Sequence, residues 1–298
     1  MKHSCFYYFI HPCKLFHIIR SKFSDKYAIN SAFKERFGYN IDWREPKTFS
    51  EKLQWLKIHD RRPIYTKMVD KYEVKSYVSE IIGTEYIIKT YGIYNSFDEI
   101  DFDSLPNKFV LKCTHDSGSI VICKDKSCFN YANARKILEN GLKKNFYKQS
   151  REWPYKNVKP RILAEEYMQD KNNISLTDYK FYCFNGKPKF LYVSYGLADH
   201  DSANISYLTL DWQKAPFSRP DYKEFPELPP KPQNYDLMIK LATKLSKDIT
   251  FLRVDFYEIN NMIYFSELTF FPGGGYTPFE PHEWDEKCGN LLQLPIKK

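Results

Sequence analysis

Asp255 and Glu267 stand in two runs that read as the arms of a hairpin: Leu252-Arg253-Val254-Asp255-Phe256 and Phe265-Ser266-Glu267-Leu268-Thr269. A three-residue loop at 260–262 sets the two carboxylates opposite each other, with Cβ atoms roughly 4.5–5.5 Å apart. Carboxylates that close repel unless a cation lies between them. Mg²⁺, which takes one or two carboxylates plus substrate phosphates, suits the pair. A two-residue loop would turn them to opposite faces. A pair of surface carboxylates, or salt bridges to Arg253, are the other open readings. A second constellation runs from Phe109 to Ile122, where two apolar runs flank a short polar turn. Lys112 lies in the first run, and His115, Ser117, Gly118 and Ser119 lie in the turn. Backbone N–H groups of such a turn can face a phosphate, with the lysine supplying charge. An ordinary hairpin with a solvated Lys112 is equally open. The third is Ile162-Leu163-Ala164-Glu165-Glu166-Tyr167-Met168. Adjacent acids in an apolar strand place one carboxylate on a buried face, where it needs a partner. A ribose hydroxyl pair or a core lysine would serve. Lys180, in Asp178-Tyr179-Lys180-Phe181, alternates with apolar residues and projects either into a cleft or into solvent. No nucleophile elbow lies near His115, His200 or His282, and Cys113 reads as packing.

These residues need elements to hold them. Thr48-Phe49-Ser50-Glu51 is a capping box ahead of a helix whose Phe49, Leu53 and Leu56 share a face. The pattern predicts helices over 65–82, 131–146 and 235–247. Strands are predicted over 86–90, 108–114, 119–124 and 161–168. Further strands at 178–184 and 187–194 flank Asn185-Gly186, a strong hairpin signal. A last hairpin joins 250–258 to 262–269 around Asn260-Asn261, followed by Pro272-Gly273-Gly274-Gly275. Residues 216–232 hold six prolines and read as a surface loop. The order implies an α+β fold with mixed sheets, not a regular βαβ alternation. There is no G-x-G-x-x-G after an early strand and no P-loop motif.

The chain has 298 residues, 43% hydrophobic and 28% charged, which excludes disordered and coiled-coil classes. Its net charge of +8 favours anionic partners without pointing to nucleic acid. Seven cysteines without a C-x-x-C fit a reducing, cytoplasmic compartment better than a disulfide scaffold. Residues 5–19 are apolar and aromatic, but too short and broken to span a bilayer. Two readings stand for residues 1–24: a peripheral contact with the inner face of the membrane, or a helix packed on the domain. The spacing of His3, Cys5, His11, Cys13 and His17 matches no common zinc module.

The order of motifs resembles the ATP-grasp superfamily, and more closely the TupA-like ATP-grasp family of bacterial surface-polysaccharide clusters. It runs from Asp70-Lys71 through Lys112 before its turn and Glu165-Glu166 to Asp255 and Glu267. The matching stretches are 48–55, 109–118, 178–188, 253–255 and 267–270, within a span of roughly 45–295. The resemblance implies two α+β subdomains with the nucleotide between their sheets. It divides the chain into an amino-terminal segment at 1–45, a helical part at 46–100, a small subdomain at 101–165 and a large one at 166–298. Lys71 and Lys112 would contact ATP phosphates, covered by the loop of His115, Ser117, Gly118 and Ser119. Glu165, Glu166, Tyr167 and Met168 would form the adenine and ribose hinge, and Asp255, Glu267 and Thr269 would hold Mg²⁺. Thr269 replaces the family's usual Asn, and Asp116 its usual Gly. Arg253 and Lys180 would act on a substrate carboxylate or its acyl phosphate. The implied reaction is carboxylate–amine ligation, joining a small-molecule or glycan carboxylate, such as a uronic acid, to an amine. The alternatives are a glycosyltransferase using a nucleotide sugar, with Asp101-Phe102-Asp103 as its acidic dyad, and a non-catalytic nucleotide-binding protein.

Overall fold

The computed structural model describes residues 24–170, 176–196 and 203–295. The amino-terminal aromatic segment, its histidines and cysteines, and His200 lie outside the described residues. No described helix is long and apolar enough to cross a membrane. Cys113, Cys123, Cys128, Cys183 and Cys288 are free thiols.

The chain builds an α+β fold around two sheets. β1 (Thr90–Tyr94), β2 (Phe109–Cys113), β3 (Ile120–Cys123) and β4 (Ile162–Glu166) form one in the order β1-β4-β2-β3. β5 (Thr177–Phe184), β6 (Lys187–Tyr195), β7 (Asn204–Thr209), β8 (Phe251–Ile259) and β9 (Met262–Thr269) form the other in the order β7-β6-β5-β8-β9. Every ladder between these strands is antiparallel, which corrects the expectation of mixed sheets. The hairpins and returning connections supply no parallel crossover within either sheet. The smaller sheet reaches back to Thr90, before residue 101 where the sequence sets its start. The first strand itself falls at 90–94, because residues 84–86 coil into a 3₁₀ turn.

Eight helices follow in the described residues: α1 (Asp25–Phe37), α2 (Phe49–His59), α3 (Ile64–Val69), α4 (Glu73–Ile82), α5 (Tyr131–Leu142), α6 (Phe146–Ser150), α7 (Tyr235–Leu245) and α8 (Glu283–Leu291). The capping box forms as its spacing predicts: Thr48 accepts from the Glu51 N–H, and Glu51 accepts back from the Thr48 N–H. The single helix expected over 65–82 is two. Asp70 interrupts it by accepting from the N–H groups of Tyr72 and Glu73 at 2.8 and 3.2 Å, which starts α4 afresh. Lys71 therefore sits in a break, where its N–H donates to the Thr114 carbonyl at 3.1 Å.

Each sheet covers one face with a helix. α7 buries Tyr235, Met238, Leu241, Ala242 and Leu245 against the larger sheet, where Phe181 meets Tyr235 at 5.9 Å. Burying side chains of this size contributes about 1.5–3 kcal/mol each. α5 buries Ala134 and Leu138 against Phe109, Leu111 and Cys113. Alternation along the strands then sends Lys112 and Glu165 to the opposite face of one sheet, and Lys180 and Asp255 to the opposite face of the other. The Lys112 charge acts on Tyr257 of β8 and Glu267 of β9, so the two ionisable faces look at each other across a cleft.

Candidate active site

β8 and β9 turn on Asn260 and Asn261, both in the left-handed region (φ 51° and 63°), with Ile259 paired to Met262. The loop therefore has two residues, not three. Asp255 still faces Glu267, because the register slips between Asp255 and Phe256 and leaves Ser266 as an extra residue. That bulge restores the facing pair which a plain two-residue hairpin would have split.

Charge is dense around this pair. Arg253 donates Nε and Nη2 to the two Asp255 oxygens at 2.8 and 2.7 Å, and Nη2 also to Glu267 at 2.6 Å. Lys180 joins Asp178 at 3.0 Å to Asp255 at 2.8 Å. Asp255 is fully buried, whereas the Glu267 side chain is 45% exposed to the cleft. Burial opposes the Glu267 charge, yet Arg253, Lys180 and Lys71 outweigh it and lower its pKa to about 2. Burial likewise opposes the Arg253 and Lys180 charges, but Asp255 and Glu267 raise the pKa of Arg253, and Asp178 and Asp255 that of Lys180. The Thr269 hydroxyl donates to Glu267 at 3.4 Å. Asp255, Glu267 and Thr269 thus present only oxygen donors, and Glu267 is an ionised carboxylate open to the cleft. The set fits a hard divalent cation by type. Arg253 engages both carboxylates, so the salt bridges to Arg253 that the sequence left open are formed, and Asp255 is buried, not at the surface. Among the described residues no cluster of three or more His, Cys, Asp or Glu forms a metal candidate.

The smaller sheet supplies lysines. Lys112 and Glu165 form an ion pair, and Lys75 of α4 reaches the same carboxylate at 2.9 Å. Burial disfavours the Glu165 charge, but the two lysines overcome it and hold the pKa at about 2. Glu165 is therefore engaged with lysines, and the carboxylate left exposed is Glu166, followed by half-buried Tyr167 and Met168. Lys71 donates to the Asp116 carbonyl; burial lowers its pKa while Glu267 pulls the other way. Lys75 is one residue that sequence reasoning missed. Lys71 lies in the break before α4, so helical spacing did not link the two lysines, and no residue type marks Lys75 as a partner of Glu165.

The turn at 114–119 uses its side chains internally. His115 and Ser119 are 4% and 2% exposed, the former in contact with the Lys144 carbonyl and the latter donating to Asp116. Asp116 is buried and answered by Lys144 at 3.2 Å. Ser117 and Gly118 form the exposed tip, with Gly118 at φ 94°. Any phosphate contact by His115 or Ser119 is thereby limited to the backbone N–H groups. Gly141 of α5 closes on the base of the turn, where a Cβ would come within 2.5 Å of Ser119 Oγ. Asp101 and Asp103 sit in an exposed turn, Asp101 accepting from the Asp103 N–H at 3.1 Å.

The chain matches the family description TupA-like ATPgrasp over residues 51–293. The chain belongs to the TupA-like ATP-grasp family. Similar solved structures include D-alanine–D-alanine ligase from Helicobacter pylori, 16% identical over 78% of this chain and 59% of that one, with a TM-score of 0.43. The Bacillus anthracis D-alanine–D-alanine ligase complexed with ATP is 16% identical over 68% and 54%, with a TM-score of 0.37. The ATP-grasp ligase PsnB, complexed with a phosphomimetic variant of its minimal precursor, Mg and ADP, is 10% identical over 81% and 63%, with a TM-score of 0.42. The chain spans less than two thirds of the length of each. No curated protein matches it.

Proposed function

We propose that this ATP-grasp protein is an ATP- and Mg²⁺-dependent carboxylate–amine ligase of bacterial surface-polysaccharide biosynthesis, working in the cytoplasm. The observation that carries the reading is the confrontation of Lys71 and Lys112 with Glu267 across the cleft. Cations on one wall and a metal-type carboxylate pair on the other suit a polyphosphate between them.

Lys71, Lys75 and Lys112 hold the phosphates, and the tip at Ser117 and Gly118 covers them. Glu166, Tyr167 and Met168 line the adenine and ribose end. A cation held by Asp255, Glu267 and Thr269 would supply charge neutralisation at the phosphates. In the first step a substrate carboxylate oxygen attacks the γ-phosphorus, the bond to the bridging oxygen breaks, and ADP leaves with that electron pair. Arg253 and Lys180 neutralise the incoming carboxylate and the acyl phosphate. An amine nitrogen then attacks the acyl carbon, phosphate departs with its electrons, the nitrogen loses a proton, and an amide results.

ADP release measured with panels of carboxylates and amines tests this. Lys112→Ala and Glu267→Ala are each expected to lower turnover by about 10²–10³-fold with the fold intact. Full activity in either variant contradicts the site assignment.

A further inference from the structure

Lys57 of α2 is a fully buried lysine that stands apart from the charges of the cleft. Its side chain is 0% exposed, and it forms no ion pair among the described residues. Its Nζ donates instead to two backbone carbonyls, Ser150 at 2.9 Å and Gly274 at 2.7 Å. The rings of Tyr276 and Phe271 flank the ammonium at 4.7 and 5.6 Å. Burial lowers its pKa to about 8, against the pull of the Glu152 carboxylate. A buried ammonium is expensive even when bonded, so packing alone does not call for one.

The two carbonyls belong to different walls of the cleft. Ser150 closes α6, a short way past Lys144, whose Nζ holds Asp116 and the Ser119 hydroxyl of the turn at 114–119 at 3.2 and 3.1 Å. Gly274 lies in the turn Pro272–Gly275, which follows β9 and therefore the strand that carries Glu267 and Thr269. Gly273, Gly274 and Gly275 are all left-handed, with φ of 56°, 65° and 72°. Glycine adopts either hand freely, so the shape of such a run is set by its partners. Gln54, one turn earlier on α2 and also 0% exposed, supplies more of them: its Nε2 donates to the Gly274 and Gly275 carbonyls at 3.2 and 2.8 Å. One helix thus grips the segment behind the phosphate turn and the segment leaving the carboxylate hairpin.

The geometry points to Lys57, supported by Gln54, as the positioning residue that sets the carboxylates of the larger sheet against the lysines of the smaller one. Lys71, Lys75 and Lys112 stand with one sheet and Asp255 and Glu267 on the other, so their spacing depends on what ties the sheets together. Lys57 touches no substrate and acts through Ser150 and Gly274. The inference rests on the ligase reading, in which a magnesium-bound nucleotide spans both walls.

Titration calorimetry with a non-hydrolysable ATP analogue, in EDTA and in Mg²⁺, tests it. In EDTA the analogue meets the lysine wall alone, and Mg²⁺ brings in the carboxylate wall. The ratio of the two affinities therefore reads how well the walls are set. Lys57→Met keeps the length of the stem and removes the charge and its donors. It is expected to leave the affinity in EDTA within about twofold of wild type and to cut the enhancement by Mg²⁺ at least about tenfold. Gln54→Leu releases only the glycine turn and is expected to lower the enhancement in the same sense, which keeps the claim decidable should Lys57→Met fail to fold. An enhancement unchanged in either folded variant overturns the inference, as does a loss of equal size in EDTA and in Mg²⁺, which marks a packing role alone. A wild-type protein that does not bind the analogue, or binds it without help from Mg²⁺, overturns the ligase reading instead.

Discussion

Glu165 shows how one carboxylate organises the phosphate wall. Its two oxygens face Lys112 and Lys75 from a strand interior, so each lysine is aimed by the same anion. Its pKa lies at about 2, below the ordinary 4.5. A lowered carboxylate stabilises the fold fully above pH 4.5, and that contribution is lost as pH falls toward 2. Glu165→Gln is therefore expected to cost up to about 3 kcal/mol near pH 7, with the gap from wild type narrowing below pH 4.5. Urea denaturation at pH 7, 4 and 3 reads this directly, and a gap constant across that range contradicts it. Lys112 and Lys180 were legible from alternation in short apolar runs, whereas the facing of Asp255 and Glu267 was expected from a three-residue loop and comes instead from a bulge on a two-residue one. The lysine partners of Glu165 were half legible: a core lysine was foreseen, but Lys75 was not singled out.

At the scale of elements, the facing carboxylates depend on one extra residue. The turn at Asn260 and Asn261 was readable, but the bulge at Ser266 was not: no residue type there marks a slipped register. Inserting one residue between Ser266 and Glu267, with the bulge kept, is expected to leave the hairpin paired, set Glu267 opposite Val254 and so turn it to the far face. Loss of Mg²⁺ dependence in nucleotide binding, with unchanged circular dichroism, checks this; retained dependence contradicts it. The split between α3 and α4 escaped the periodicity argument because Met68, Val69, Val74 and Val78 keep the apolar rhythm across the break. Asp70 was the missed signal, a capping residue inside that rhythm. β7 also escaped, being short and polar at alternate positions. Gly275 marks a second close fit, where φ is 72° and a Cβ would meet Gln54 Nε2 at 2.5 Å. Gly275→Ala is expected to lower stability by about 1–3 kcal/mol, measurable by thermal or urea unfolding.

At the scale of the molecule, two sheets each cover one face with a helix and turn the other toward a shared cleft. The cleft gathers Lys71, Lys75, Lys112, Lys180 and Arg253 against Asp178, Glu165, Asp255 and Glu267. Five cations facing four carboxylates favour an incoming polyanion, and a divalent cation would deepen that preference. The α+β class and the strand-bearing segments were readable from hairpin and helix signals. The antiparallel order of both sheets was not, since pairing between distant segments leaves no local mark. The most direct test of the account is a thermal shift with Mg-ATP set against a panel of nucleotide sugars. At about 100 times its dissociation constant, a bound ligand adds about 2.7 kcal/mol and raises the midpoint visibly. The account predicts a shift with Mg-ATP that vanishes with EDTA and in Lys112→Ala, and none with nucleotide sugars. A shift produced only by a nucleotide sugar would contradict it.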